Sequence, residues 1–195
     1  MSQKISVIIP GYRPEYMDET LYSLYTQTVQ PNEILYYHSK GYLNEKINKL
    51  VSIATGDAIL VLSDDDKLEE TFIEKTSKIM QEKDVDIVYT DVQKFGKAAN
   101  MMLAGEWEES FFRVSTPVFI TSLVKKSMFE KVGGWDNEQK YGDYDFWYRC
   151  FKEGATAYHL HEPLFMYRIH DNSGSNNMSH DEARNLFLNK HPELK

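Results

Sequence analysis

What most constrains this chain is the alternation, between Ile5 and Thr90, of short β-branched runs with stretches of helical spacing. Ile5-Ser6-Val7-Ile8-Ile9-Pro10 is an apolar run stopped by Pro10-Gly11, and residues 16–28 carry Met17, Leu21, Leu24 and Tyr25 at helical spacing. Residues 33–37 read as a second strand, 43–54 as a second helix and 58–62 as a third strand. A helix over 68–83 and a fourth strand over 86–90 follow. Elements in this order predict an α/β domain, a mostly parallel sheet with helices on its faces. Such sheets bind ligands beyond the carboxyl ends of their strands.

Beyond the third run stands Leu60-Val61-Leu62-Ser63-Asp64-Asp65-Asp66-Lys67. Three consecutive carboxylates concentrate negative charge where a ligand is expected. Oxygen donors there suit Mg²⁺ or Mn²⁺, which bind one or two carboxylates together with substrate phosphate. The alternative is an acidic turn in which Asp66 caps the next helix.

The 195 residues suffice for one domain with a buried core, and 42% hydrophobic with 27% charged residues is a globular composition. Against 30 Asp and Glu there are 22 Lys and Arg, a balance of -8, which disfavours a broad grip on nucleic acid. The single cysteine, Cys150, excludes an intramolecular disulfide and is expected in the core. No run approaches the length of a membrane span. The start, Met1-Ser2-Gln3-Lys4, lacks a signal-peptide pattern, so a cytoplasmic location is expected.

The second half is less regular. Met101, Met102, Trp107, Phe111 and Phe112 are either core or cavity lining, and residues 118–124 read as a strand. After Gly133-Gly134-Trp135-Asp136, a helix running to Lys152 begins near Asp143 and Asp145. Asp143 suits either a helix cap or a general base. In Tyr167-Arg168-Ile169-His170-Asp171-Asn172-Ser173 an arginine fork suits phosphate, and a neutral histidine can complete a metal shell. Residues 179–189 read as a terminal helix folding back over the domain.

Taken together, Ser6-Val7-Ile8-Ile9-Pro10-Gly11-Tyr12, Leu24-Tyr25-Thr26-Gln27-Thr28, Ala54-Thr55-Gly56-Asp57, Asp64-Asp65-Asp66, Lys131-Val132-Gly133-Gly134-Trp135-Asp136, Gly142-Asp143-Tyr144-Asp145 and Tyr167-Arg168-Ile169-His170 resemble, in order, the motifs of the family 2 glycosyltransferases. The resemblance covers Ile5 to about Ser175. It implies a single GT-A-type domain over 1–178, with a Rossmann-like nucleotide-binding half to about 92, a smaller mixed acceptor half, and a tail over 179–195.

The activity implied is metal-dependent, inverting transfer of a sugar from a nucleoside-diphosphate sugar to a hydroxyl of a glycan or glycoconjugate precursor. The resemblance makes Asp65, Asp66 and His170 the ligands of Mn²⁺ or Mg²⁺, and Asp64 a ribose or metal contact. Arg168 closes with His170 over the diphosphate. Tyr12 packs on the nucleobase, and Pro10, Gly11 and Arg13 edge its pocket. Ser39, Lys40 and Asn48 fall on the nucleotide side, and Asp143 matches the catalytic base. Two positions depart from the family pattern. Gly142 stands where a glutamate often precedes the base, and Tyr37-His38-Ser39-Lys40-Gly41 replaces a segment whose aspartate reads uracil.

Two other function classes share some of these features. A nucleotidyltransferase would show a Gly-rich basic loop after the first strand, whereas Pro10-Gly11-Tyr12-Arg13-Pro14 has one glycine and one arginine. A catalytically silent nucleotide-sugar-binding module would keep the same motifs and lack turnover.

Overall fold

A computed structural model describes residues 3–11, 13–39, 41–137, 142–173 and 179–195. Tyr12 and Lys40, both expected at the nucleotide, lie outside the described residues. The chain runs β1 (Ile5–Ile9), α1 (Met17–Tyr25), β2 (Glu33–Tyr36), α2 (Leu43–Ile53), β3 (Ala58–Val61), β4 (Lys67–Leu68), α3 (Phe72–Lys83) and β5 (Ile87–Gly96). It continues through β6 (Met101–Met102), α4 (Glu109–Phe112), β7 (Leu123–Lys125), α5 (Lys126–Lys131), α6 (Gly142–Lys152), β8 (Ala157–Ile169), α7 (His180–Lys190) and a 3₁₀ turn (Pro192–Leu194).

One sheet joins strands in the order β2-β1-β3-β7-β5-β8-β4, with β6 beside β5. Its first half is parallel, as the alternation predicts: β1 pairs with β2 and with β3 in the same sense. β7 enters antiparallel between β3 and β5, and β4 and β6 also pair antiparallel, so the second half is mixed. β1 is buried along its whole length, as a central parallel strand requires. Its period of two divides the core. Ile8 faces one cluster with Ile47, Leu50, Trp147 and Tyr148, while Ile5, Val7 and Ile9 face another with Leu24, Phe72 and Ile73.

Several boundaries differ from the sequence expectations. The helix expected over 68–83 begins at Phe72, because Lys67 and Leu68 pair with Met166 and Phe165 as β4. Thr71, and not Asp66, precedes that helix, so the capping alternative for the acidic turn is set aside. The strand expected over 86–90 extends to Gly96, held by β8. The strand expected over 118–124 shrinks to Leu123–Lys125, because Ser122 turns its N–H to Ile120 O and its hydroxyl to Phe119 O, competing with a ladder.

Trp107 and Phe112 pack against the first core cluster, Met101 is exposed, and Cys150 is buried. Helix α7 begins with a capping box between Ser179 and Glu182, and Phe187 and Leu188 enter the main core. Among the described residues no helix is long and apolar enough to cross a membrane.

Candidate active site

The acidic turn follows β3 and is closed by Asp66 N–H donating to Ser63 O at 3.2 Å. Helix α1 supports it from below: the Thr20 hydroxyl lies 3.0 Å from Asp64 O and 2.8 Å from Asp66 O. All three carboxylates are buried. Anions removed from water and set side by side need compensating charge. Burial first, and then the neighbouring Asp65, push the Asp66 carboxyl well above the usual carboxylate range. Its Oδ1 accepts from Arg168 N–H at 2.9 Å, while Oδ2 is buried with no partner among the described residues.

Three cationic or donor groups converge on this turn from distant segments. Arg13, just beyond β1, donates its backbone N–H to Asp64 and places Nη1 3.2 Å from Asp65 Oδ2. It also donates from Nη2 to Asn172 O at 2.9 Å, tying the first loop to the one after β8. His170 Nε2 stands 3.0 Å from the same Asp65 oxygen. A turn holds that imidazole in place, with His170 N–H donating to Ser173 Oγ and Ser173 N–H to His170 O. Arg168 donates from Nε to Asp65 O at 2.7 Å and pairs with Glu19 at 3.0 Å. Its guanidinium lies between the rings of Tyr16 and Phe95, 4.5 and 4.4 Å from their centroids.

Beside this cluster is the end of β1. Pro10 and Gly11 are buried, and a side chain at Gly11 would overlap the Tyr36 ring. Gly11 O accepts from the buried Lys46 Nζ at 3.1 Å and from Ser39 N–H at 3.4 Å. Burial lowers the Lys46 pKa, opposed by the charge of Asp64. Tyr36 Oη and His38 Nδ1 are 2.8 Å apart, and burial, then Asp64, raise the Tyr36 pKa. The first loop, the residues after β2 and the acidic turn therefore share one edge of the sheet.

Asp143 sits in the first turn of α6. Burial pushes its carboxyl up to about 6, against opposing hydrogen bonds from the N–H groups of Tyr144 and Asp143 itself. Asp145 has the opposite environment. It accepts from Arg149 Nε at 2.7 Å, lies 2.7 Å from Lys190 Nζ and 2.9 Å from His191 Nε2, and these hydrogen bonds overcome burial and hold its pKa far below the usual range. Two carboxylates two residues apart are thus tuned in opposite directions, Asp143 upward to about 6 and Asp145 far downward.

Asn48, expected on the nucleotide side, is engaged by the loop before α6. Its amide donates to Trp135 O at 2.7 Å and accepts from Trp135 N–H at 2.8 Å, fixing the loop in which Gly134 takes a positive φ of 73°. A Cβ on Gly134 would come within 2.6 Å of Asn48 Oδ1. The structure also adds residues that the sequence reading passed over: Thr20, Glu19 and Tyr16. Of these only Thr20 left a signal, as a polar residue on the buried face of an amphipathic helix.

The chain resembles curated glycosyltransferases. It is 22% identical over 218 residues to glycosyltransferase GlyG of Streptococcus pneumoniae, covering 86% of this chain and 71% of that protein. It is 28% identical over 131 residues to an uncharacterized glycosyltransferase of Methanocaldococcus jannaschii, covering 63% of this chain and 45% of the relative. S. aureus TarS 1-349 in complex with UDP-GlcNAc superposes with a TM-score of 0.76 at 14% identity, over 96% of this chain and 66% of that one. The mannosyltransferase PcManGT from Pyrobaculum calidifontis, in complex with GDP-Man and Mn²⁺, gives 0.66 at 13% identity, over 90% and 60%. This chain therefore spans between 45% and 71% of these proteins' lengths. No protein-family model matches it. The fold is that of the GT-A-like glycosyltransferases.

Proposed function

We propose that this chain is a metal-dependent, inverting glycosyltransferase of the family 2 type, moving a hexose from a nucleoside-diphosphate sugar to a hydroxyl of a glycan or polysaccharide precursor in the cytoplasm. The observation that carries this reading is the convergence of Arg13, Arg168 and His170 on Asp65 and Asp66. Asp66 Oδ2, without a donor among the described residues, fits a cation-binding site, since a buried carboxylate oxygen without a partner is costly. Asp65 and His170 are already in contact, and Asp66 completes the donor set for Mn²⁺ or Mg²⁺. A cation held there would neutralise charge growing on the departing diphosphate.

The remaining work falls to the chain's own groups. Arg168, fixed between two rings, and Arg13 offer guanidinium charge to phosphate oxygens. Tyr36, His38 and Ser39, beside Gly11, face the nucleoside, with no carboxylate to read uracil. Asp143 accepts the proton of the acceptor hydroxyl as its oxygen attacks the anomeric carbon, and one displacement inverts that centre. A carboxyl at about 6 is mostly ionised at neutral pH and still basic enough to take a proton. That tuning favours a catalyst over a silent binding module. The test is thermal shift of the chain against a panel of nucleotide sugars with Mn²⁺ or with EDTA. Metal-dependent stabilisation by at least one donor supports the reading, and equal stabilisation in EDTA contradicts it.

A further inference from the structure

A second donor cluster lies on the sheet outside the acidic turn. The pairing of β5 with β8 is interrupted after Thr90 and Leu160 and resumes at Val92 and Phe165, so Asp91 stands opposite His161, Glu162, Pro163 and Leu164. Tyr89 pairs with His159 in the intact register just before the break. Alternation along the two strands therefore brings Asp91, His159 and His161 to one place. One donor atom from each lies within 4.8 Å of the others.

The chemistry of this trio points to a metal. Asp91 is buried, and its Oδ1 accepts from Ala104 N–H at 2.9 Å and lies 2.8 Å from His159 Nε2. The His159 side chain is only 7% exposed, its ring stacks on Tyr89 at 4.8 Å, and its Nδ1 has no hydrogen-bond partner among the described residues. A buried imidazole nitrogen without a partner calls for a water or an ion. The His161 ring centroid is 3.9 Å from that of His159, so the two imidazoles stand side by side. Neutral imidazole is a metal ligand. His161 is exposed and leaves a path from solvent.

We propose that Asp91, His159 and His161 form a binding site for a borderline divalent cation of the Zn²⁺ class, with water filling the remaining coordination position. Two nitrogens and one carboxylate favour such ions over Mg²⁺ and Mn²⁺, which suit the carboxylate-dominated acidic turn. The site is therefore chemically distinct from the acidic turn and does not depend on the glycosyltransferase reading. Its place in the fold suggests a staple: it closes the break between β5 and β8 upstream of Arg168 and His170, and Ala104 N–H ties the crossing segment to the same carboxylate.

The test uses the tag-free full chain, with Zn²⁺ binding measured by equilibrium dialysis and Co²⁺ binding by its visible ligand-field bands. One ion that is lost with His161 should bind and raise the melting temperature, in addition to any ion held at the acidic turn. His161→Ala, at an exposed position, should weaken Zn²⁺ by at least ~10-fold, the lower end of what loss even of an outer-shell partner costs. Asp91→Asn, which preserves shape, should do the same, whereas His170→Ala should leave the His161-dependent Co²⁺ bands unchanged. Binding equal in wild type and His161→Ala, no Zn²⁺ bound below ~100 µM, or bands abolished by His170→Ala would each overturn the proposal.

Discussion

The imidazole Nε2 of His170 lies 3.0 Å from Asp65 Oδ2, although the two residues are 105 positions apart. Sheet order makes this contact possible. β4, immediately after the acidic turn, pairs with β8, so the residues that follow β8 are brought back over Asp65 and Asp66. If this pair serves a cation, Asp65→Asn should reduce Mn²⁺-linked stabilisation by a nucleoside diphosphate by ~10-fold or more in apparent affinity, since it removes a ligand rather than an outer-shell partner. Asp57→Asn is the control. Asp57 accepts from Lys4 N–H at 3.1 Å before β3 and should leave the metal linkage unchanged in the same calorimetric titration.

Thr20 is expected to hold the acidic turn in shape. Its hydroxyl serves two buried carbonyl oxygens, and Thr20→Val keeps the volume while removing the donor. Urea unfolding should show a loss of about 1 to 3 kcal/mol, the cost of leaving buried acceptors unsatisfied. Thr20→Ser should restore most of it.

Asp145 should behave as a structural anion. Its pKa is depressed, so it adds stability above the ordinary carboxylate pKa of about 4 and loses that contribution as the pH falls through its folded-state value. Asp145→Asn should lower the melting temperature at pH 7, and the gap from wild type should narrow in acid. A gap independent of pH would contradict the assignment.

If the residues after β2 face the nucleoside as proposed, discrimination among bases should be weak. With His38 and Tyr36 in place of a carboxylate, UDP and GDP should differ by less than ~1000-fold in calorimetric affinity, since one well-matched buried hydrogen bond contributes about 1 to 3 kcal/mol. A larger preference for UDP would mean that other groups read the ring.

How much of this was legible in the sequence depends on how local each feature is. β1 and β3 are continuous apolar runs bounded by turn residues, and the helices between them keep a 3.6-residue period, so the parallel half could be read directly. The acidic turn and the loop around His170 were likewise visible as concentrations of ligand-type side chains. β4 was not, because a strand of Lys67 and Leu68 has no period of its own and exists through its pairing with Phe165 and Met166. The length of β5 was hidden by Asp91 and the polar Gln93 and Lys94 inside it. Asn48 carries no sign in the sequence that its amide is taken up by Trp135. The Asp91, His159 and His161 trio arises from strand register between segments 68 positions apart, which no local pattern encodes.

Asp143→Asn tests the account most directly. The substitution keeps shape and removes the proposed base. With whichever nucleotide sugar binds best in Mn²⁺, donor affinity should stay within about twofold of wild type while turnover falls by ~10² to 10⁴. The wild-type rate should climb with pH and level off above about 6, as the raised Asp143 carboxyl ionises. Because the wild type carries a buried charge above that pH, the variant should melt at the same temperature or higher at pH 7 and lose this advantage below about pH 4. A folded Asp143→Asn that transfers sugar at near-native rate, with Asp145→Asn folded and inactive, would contradict the assignment and move the base two residues along α6.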